Sequence, residues 1–180
     1  MSHIEHWMRL YSSANPVVRE RALAALANAP DPRVTPVLLD AFEHYQEYPG
    51  VDTVRAMQQS RDPALLEPML RFSTHPDAQI RAGACEVLGA LADRRATPAL
   101  VERLGDEDIW VRRAAGFALA AVRDPAALEP LRQRYDGYPA DDINVRVALH
   151  TALRALSAPP PAGTVRRPAS ADRQSSGCAG

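Results

Sequence analysis

Ile80-Arg81-Ala82-Gly83-Ala84-Cys85-Glu86-Val87-Leu88 recurs in form as Val111-Arg112-Arg113-Ala114-Ala115-Gly116-Phe117-Ala118-Leu119. Each stretch opens on a β-branched residue followed by Arg and closes on Leu. Two more copies flank them, Val18-Arg19 running to Leu26 and Val145-Arg146 running to Leu153. Arg19 to Arg81 is 62 residues, Arg81 to Arg112 is 31 and Arg112 to Arg146 is 34. The period is therefore 31, with one three-residue insertion near Gly137-Tyr138-Pro139, and the missing copy centres on Gly50. A fixed period of this length is the signature of a stacked-repeat architecture.

Two independent series keep the same spacing: Asp31, Asp62, Asp93 and Asp124, and Leu38, Met69, Leu100 and Leu131. Four residues before each anchoring arginine stands Asn15, Asp77, Asp108 or Asp142, with Gln46 in the degenerate copy. Asn or Asp there accepts an orphan backbone N–H and marks a helix start. Pro30-Asp31-Pro32, Arg61-Asp62-Pro63, Asp93-Arg94-Arg95 and Arg123-Asp124-Pro125 interrupt the pattern regularly, since proline cannot continue a helix. A second helix is expected near Pro36, Pro68, Pro98 and Pro130, burying Leu38/Phe42, Met69/Phe72, Leu100/Leu104 and Leu131/Tyr135. Each repeat is thus a helix hairpin, too small to enclose its own apolar face, and neighbours must stack into a continuous core. Gly83 and Gly116 inside the first helices fit close helix approach, because glycine there otherwise costs about 1 kcal/mol against alanine.

The chain reads as all-α, an α-solenoid of stacked hairpins. Residues 1–14 form an N-terminal cap helix, with Ile4, Trp7, Met8 and Tyr11 at helical spacing and a capping-box pair in Ser2 and Glu5. Residues 15–157 hold about four and a half repeats, ending in a helix without a second partner. From Ala158 to Gly180, Pro, Gly, Ser, Ala and Arg leave only Val165 as a large aliphatic, and the segment reads as a disordered tail.

Composition agrees, with 46% hydrophobic residues dominated by the strong helix formers Ala and Leu. The formal charge is −1, every basic residue is Arg, and the tail holds Arg166, Arg167 and Arg173 against Asp172, leaving the folded part at −3. That balance argues against a nucleic-acid-binding face. Cys85 and Cys178 make neither a disulfide framework nor a zinc site. No apolar run approaches the roughly 20 residues that span a bilayer, and Met1-Ser2-His3-Ile4-Glu5-His6 lacks a leader pattern, so a cytoplasmic location without membrane contact is expected.

Val-Arg-x-x-Ala-x-x-x-Leu, Asp-Pro-Ala-Ala-Leu-Glu-Pro-Leu at 124–131 and Arg-Ala-Thr-Pro-Ala-Leu-Val-Glu-Arg-Leu at 95–104 resemble the short HEAT-like repeats of phycobilisome lyase accessory subunits. The resemblance runs from about Asn15 to Leu156. Thr35-Pro36 and Thr97-Pro98 open second helices, unlike the Thr-Pro of ankyrin repeats, and the tetratricopeptide pattern is absent. The resemblance implies a partner-binding solenoid whose second helices line the concave face. On it Arg71, Glu102, Arg103, Arg132 and Arg134 are candidate partner contacts, or else a solvated charged face. Tyr45 and Tyr48, in the copy lacking the Val-Arg pair, are a further possible aromatic contact.

Catalytic chemistry finds little support. His3, His6, His44, His75 and His150 do not follow the repeat. HEAT-like di-iron hydroxylases carry His-Glu pairs where this chain has Glu20-Arg21, Ala82-Gly83 and Arg113-Ala114. No nucleophile motif, phosphate loop or Cys-x-x-Cys occurs, so no enzyme activity, metal or cofactor is expected. Arg19, Arg81, Arg112 and Arg146 with Asp77, Asp108 and Asp142 suggest a structural Asp–Arg ladder between repeats. The leading function is a non-catalytic protein-interaction or scaffold module. The alternatives are a bilin-lyase accessory subunit and a nucleic-acid binder of the HEAT-like glycosylase kind, the latter disfavoured by charge.

Overall fold

The computed structural model describes residues 3–29, 31–44, 53–139 and 142–158. The tail from residue 159, the Ser2 half of the capping box, Gln46, Tyr45 and Tyr48 lie outside them. The described residues form ten α-helices and no strands: α1 His3–Tyr11, α2 Pro16–Ala27, α3 Val34–Glu43, α4 Thr53–Ser60, α5 Leu66–Phe72, α6 Ala78–Leu91, α7 Thr97–Arg103, α8 Ile109–Val122, α9 Leu128–Asp136 and α10 Ile143–Ser157. The first helices α2, α4, α6, α8 and α10 pack side by side as one layer, while α3, α5, α7 and α9 form the second.

The expected caps are present. Asn15 Oδ1 accepts from Val17 N at 3.0 Å, Asp77 Oδ1 from Gln79 N at 2.8 Å and Asp108 Oδ1 from Trp110 N at 2.8 Å. Asp142 Oδ1 accepts from Val145 N at a longer 3.4 Å. The second helices open earlier than their prolines suggested. Asp62, Asp93 and Asp124 cap 3-10 turns at Pro63–Leu65, Arg94–Ala96 and Pro125–Ala127, which run directly into α5, α7 and α9. Pro68, Pro98 and Pro130 then fall in the first α-helical turn, where a missing N–H breaks no intrahelical bond.

Three of the first helices also stop by a shared device. Arg61, Ala92 and Arg123, 31 residues apart, follow α4, α6 and α8 in the left-handed region, with φ of 48°, 53° and 54°. Their N–H groups donate to Met57, Leu88 and Leu119 carbonyls at 3.2, 3.3 and 3.1 Å, closing the final turn.

The core follows the repeat. Leu38, Met69, Leu100 and Leu131 are fully buried, as are Leu26, Leu88, Leu119 and Leu149. α1 covers α2, with Trp7 half-buried against the core and Tyr11 buried, so the aromatic at this end has a capping role. Between layers of repeats the approach is tightest at glycine. A Cβ on Gly116 would lie 2.9 Å from Ala148 Cβ, and one on Gly89 would lie 2.8 Å from Ala118 Cα. Gly83 is also closely covered, by the Phe42 and Val54 side chains.

Candidate interaction surfaces

Where second helices turn into first helices, the loops line one edge of the solenoid, and the anchoring arginines reach back into them. Arg19 Nη1 donates to the Ser13 and Ala14 carbonyls at 2.8 and 3.2 Å, and Arg81 Nη1 to those of His75 and Pro76 at 2.9 and 2.8 Å. Arg112 Nη1 donates to the Asp106 and Glu107 carbonyls, both at 2.8 Å, and Arg146 Nη1 to that of Tyr138 at 3.1 Å. The repeated arginine therefore ties each loop to the helix that follows it.

The rungs between repeats differ from the expected ladder. Arg81 grips Asp106 in a bidentate pair, Nε to Oδ2 at 2.9 Å and Nη2 to Oδ1 at 2.8 Å. Asp108, the partner expected from sequence, accepts the backbone N–H of Trp110 and caps its own helix. Both members of the pair are buried, with side-chain exposures of 6% and 3%. Burial alone would raise the Asp106 carboxyl, but the Arg81 hydrogen bond, the Asp108 N–H and the charges of Arg81 and Arg103 outweigh it. The group is held below its ordinary value. In the next repeat the three-residue insertion changes the rung: Arg112 Nε donates to Tyr138 Oη at 2.7 Å, and Tyr138 Oη donates to Asp142 Oδ2 at 2.9 Å. Burial and this hydrogen bond to Asp142 both push the Tyr138 phenol up. Asp142 also lies 3.8 Å from Arg112 Nη2 and pairs with it across the repeats. The signal for Asp106 was present in sequence. Six residues before their arginines, Ser13, His75 and Asp106 each accept the N–H of the following cap residue, at 3.2, 3.0 and 3.0 Å.

Of the second-helix set, Arg71, Arg132 and Arg134 are exposed and Glu102 is 69% exposed. Arg103 is not a free surface group: its side chain is 16% exposed, with Nη2 on Glu102 Oε1 at 2.7 Å and Nη1 at 3.5 Å from Asp106 Oδ2. It belongs to the buried edge cluster, because α7 ends beside the loop that supplies Asp106. Arg134 reaches over Gly105, where a Cβ would fall 2.7 Å from Nη2. Beside it a groove of about 310 Å³ runs between α7 and α9, lined by Val101, Leu104, Pro130, Gln133, Arg134 and Gly137.

The opposite layer holds a surface that the charge-centred reading missed. Trp110, Arg113 and Phe117 lie at i, i+3 and i+7 on α8, outside the buried frame of Val111, Ala114, Ala115, Ala118 and Leu119. Trp110 is 59% exposed and Phe117 38%, and the Arg113 guanidinium sits 5.6 Å from the first ring centroid and 5.3 Å from the second. Val147, 50% exposed, takes the position of Arg113 one repeat on. Beyond it Tyr135, Ile143, Arg146, Val147 and His150 line a second hollow of about 310 Å³, with Arg146 over the Tyr135 ring at 4.6 Å. Aromatic residues falling off the core frame of a helix were the available sequence signal.

Among the described residues no group of three or more His, Cys, Asp or Glu could hold a metal, and no helix is long and apolar enough to cross a membrane. Burial pushes the Cys85 thiol up to about 12, so it is an inert core residue.

Family models for HEAT repeats and for the PBS lyase HEAT-like repeat match residues 63–150 and 18–44. This chain belongs to the HEAT-like repeat family. No curated protein matches the sequence. Among solved structures, this HEAT-repeat protein is similar to a chain in the complex of CpcE and CpcF of phycocyanin lyase from Nostoc sp. PCC7120, with 19% identity and a TM-score of 0.66. That match covers 87% of this chain and 66% of the other, so the protein spans just under two thirds of that relative. An engineered protein matches with 18% identity and a TM-score of 0.59, over 87% of this chain and 80% of that one. At these identities the likeness concerns the fold.

Proposed function

We propose that this HEAT-repeat protein is a non-catalytic protein-interaction module. One observation carries the reading: among the described residues the exposed large apolar side chains are Val17, Trp110, Phe117, Ile143 and Val147, and all stand on first helices. Apolar and aromatic groups gathered on one layer of a solenoid favour a partner surface over a solvated face. The first helices approach through Gly–Ala contacts, whereas α7 meets the following repeat's second-helix layer at the 3-10 turn before α9.

The second-helix surface remains a separate proposed contact through Arg71, Arg132 and Arg134. Affinity capture with the full chain, from lysate of its native cell with and without nuclease treatment, distinguishes the two. A partner protein should be retained by the wild type and lost when Trp110→Ala and Phe117→Ala are combined. If loss follows Arg132→Glu with Arg134→Glu instead, the second-helix layer is the binding face. Retention of nothing that either variant loses, or of a species removed by nuclease, would refute the module.

Similarity to a chain of the CpcE–CpcF complex supports a second reading, an accessory subunit of a bilin lyase working with a second protein chain. Its test is the visible absorbance of the full chain titrated with free bilin, alone and with candidate partner chains. No spectral change in any combination would sink it.

A further inference from the structure

We propose that the Trp110–Arg113–Phe117 stripe of α8, extended by Val147 of α10, docks an amphipathic helix of a partner protein that sets a carboxylate among apolar side chains. The proposal rests on the interaction-module reading and deepens it.

Arg113 decides the chemistry. Its guanidinium lies over two exposed rings, and no carboxylate among the described residues pairs with it. Several other arginines of the fold are paired with acids: Arg33 with Asp31, Arg95 with Asp93, Arg81 with Asp106. A partner that covers Trp110 and Phe117 removes water from the guanidinium between them, and a desolvated cation requires an anion in return. The rings hold the guanidinium near one orientation, so little freedom is lost when a carboxylate meets its planar fork.

The neighbouring rows set the rest of the ligand. The equivalent positions are Gln79, Ala82 and Glu86 on α6 and Asn144, Val147 and Thr151 on α10. Arg113 is the sole cation on these three rows, so a single acid flanked by large aliphatics is the complement. A polyanion is a poor fit, since a phosphodiester chain needs several cations along its path and the folded part carries −3. A second copy docking through the same patch about a two-fold axis brings Arg113 toward Arg113, a like-charge contact.

The test selects ligands for the full chain from a random 16-residue peptide library and measures binding of the recovered peptides by fluorescence anisotropy. Recovered peptides should carry Asp or Glu between large apolar residues at helical spacing. Trp110→Ala and Arg113→Glu should each weaken them at least tenfold with the circular dichroism spectrum and melting temperature unchanged. Exchanging the peptide acid for Arg should restore binding to the Arg113→Glu variant, which a merely structural role for Arg113 would not produce. Peptides without an acid, or insensitive to both substitutions, overturn the surface. If those peptides are instead lost with Arg132→Glu and Arg134→Glu, the module stands and only this surface falls. Recovery of no binder sinks both. Trp110-dependent binding of oligo(dT), or Trp110-dependent self-association in light scattering, assigns the stripe to a different occupant and also overturns the proposal.

Discussion

Removing the Asp106 carboxylate tests whether the edge cluster holds adjacent repeats together. Asp106→Ala deletes the acceptor of two Arg81 donors at 2.9 and 2.8 Å and of the Asp108 N–H at 3.0 Å, and leaves a guanidinium 6% exposed. Two of the Arg81 nitrogens keep no other acid within reach except Glu107, 3.3 Å from Nη2 and itself 88% exposed. Breaking one side of a buried pair costs about 3–5 kcal/mol, chiefly from the uncompensated charge. For a domain of this size that lowers Tm by roughly 6–20 °C. Arg81→Met combined with Asp106→Leu should recover most of the loss, because the burial penalty disappears with the pair. The pair also gives a pH signature. A carboxyl whose folded value lies below its unfolded one, near 3.9, contributes stability that is complete above that value and is lost as pH falls through the folded value. Wild type should therefore weaken below about pH 4, and Asp106→Asn should show a shallower acid limb. Urea denaturation of the four proteins from pH 2.5 to 7 measures both effects. A cost under about 1 kcal/mol for Asp106→Ala, or an acid limb unchanged in Asp106→Asn, would refute a buried, strained-if-unpaired cluster.

Further outcomes follow for other positions. Ala92→Gly relieves a left-handed residue at φ 53°, and after the entropy of glycine is subtracted it should raise the urea midpoint by up to about 1 kcal/mol of stability. Gly89→Ala sets a methyl 2.8 Å from the Ala118 backbone, which should cost about 1–3 kcal/mol in the same assay because neither helix can yield alone. Arg103→Glu places a carboxylate against Asp106 and should lower Tm, whereas Arg132→Glu on the exposed face should change stability by less than about 0.5 kcal/mol. Leu100→Ala should cost about 2–5 kcal/mol, while deleting residues 159–180 should leave the calorimetric Tm nearly unchanged; a clear drop would move the proposed domain boundary.

The helices were legible because their ends are made by local chemistry. Asn15, Asp77 and Asp108 bond to N–H groups two residues on, and Asp62, Asp93 and Asp124 do the same for the second helices. Such contacts depend on nearest neighbours in the chain, so spacing and residue type sufficed, and the 31-residue period then required stacking. Leu38, Met69, Leu100 and Leu131 shared one register and one fate, full burial.

Contacts across repeats were less accessible to the sequence. Arg81 meets Asp106 and not Asp108, and the difference of two residues depends on how the 104–108 loop turns its side chains before α8 begins. Arg103 and Arg134 occupy the same repeat position, yet one is drawn into an acidic cluster and the other lies exposed over Gly105, because only the first has Asp106 within reach. Phe117 sits inside the stretch that revealed the repeat and Trp110 immediately before it, but their exposure is decided by the rotation of α8 between α6 and α10. The period and the caps belong to the sequence by itself. Which charges are buried, and which aromatic groups face outward, were decided by the packing of one hairpin on the next, since each depends on atoms some 25 residues away along the chain.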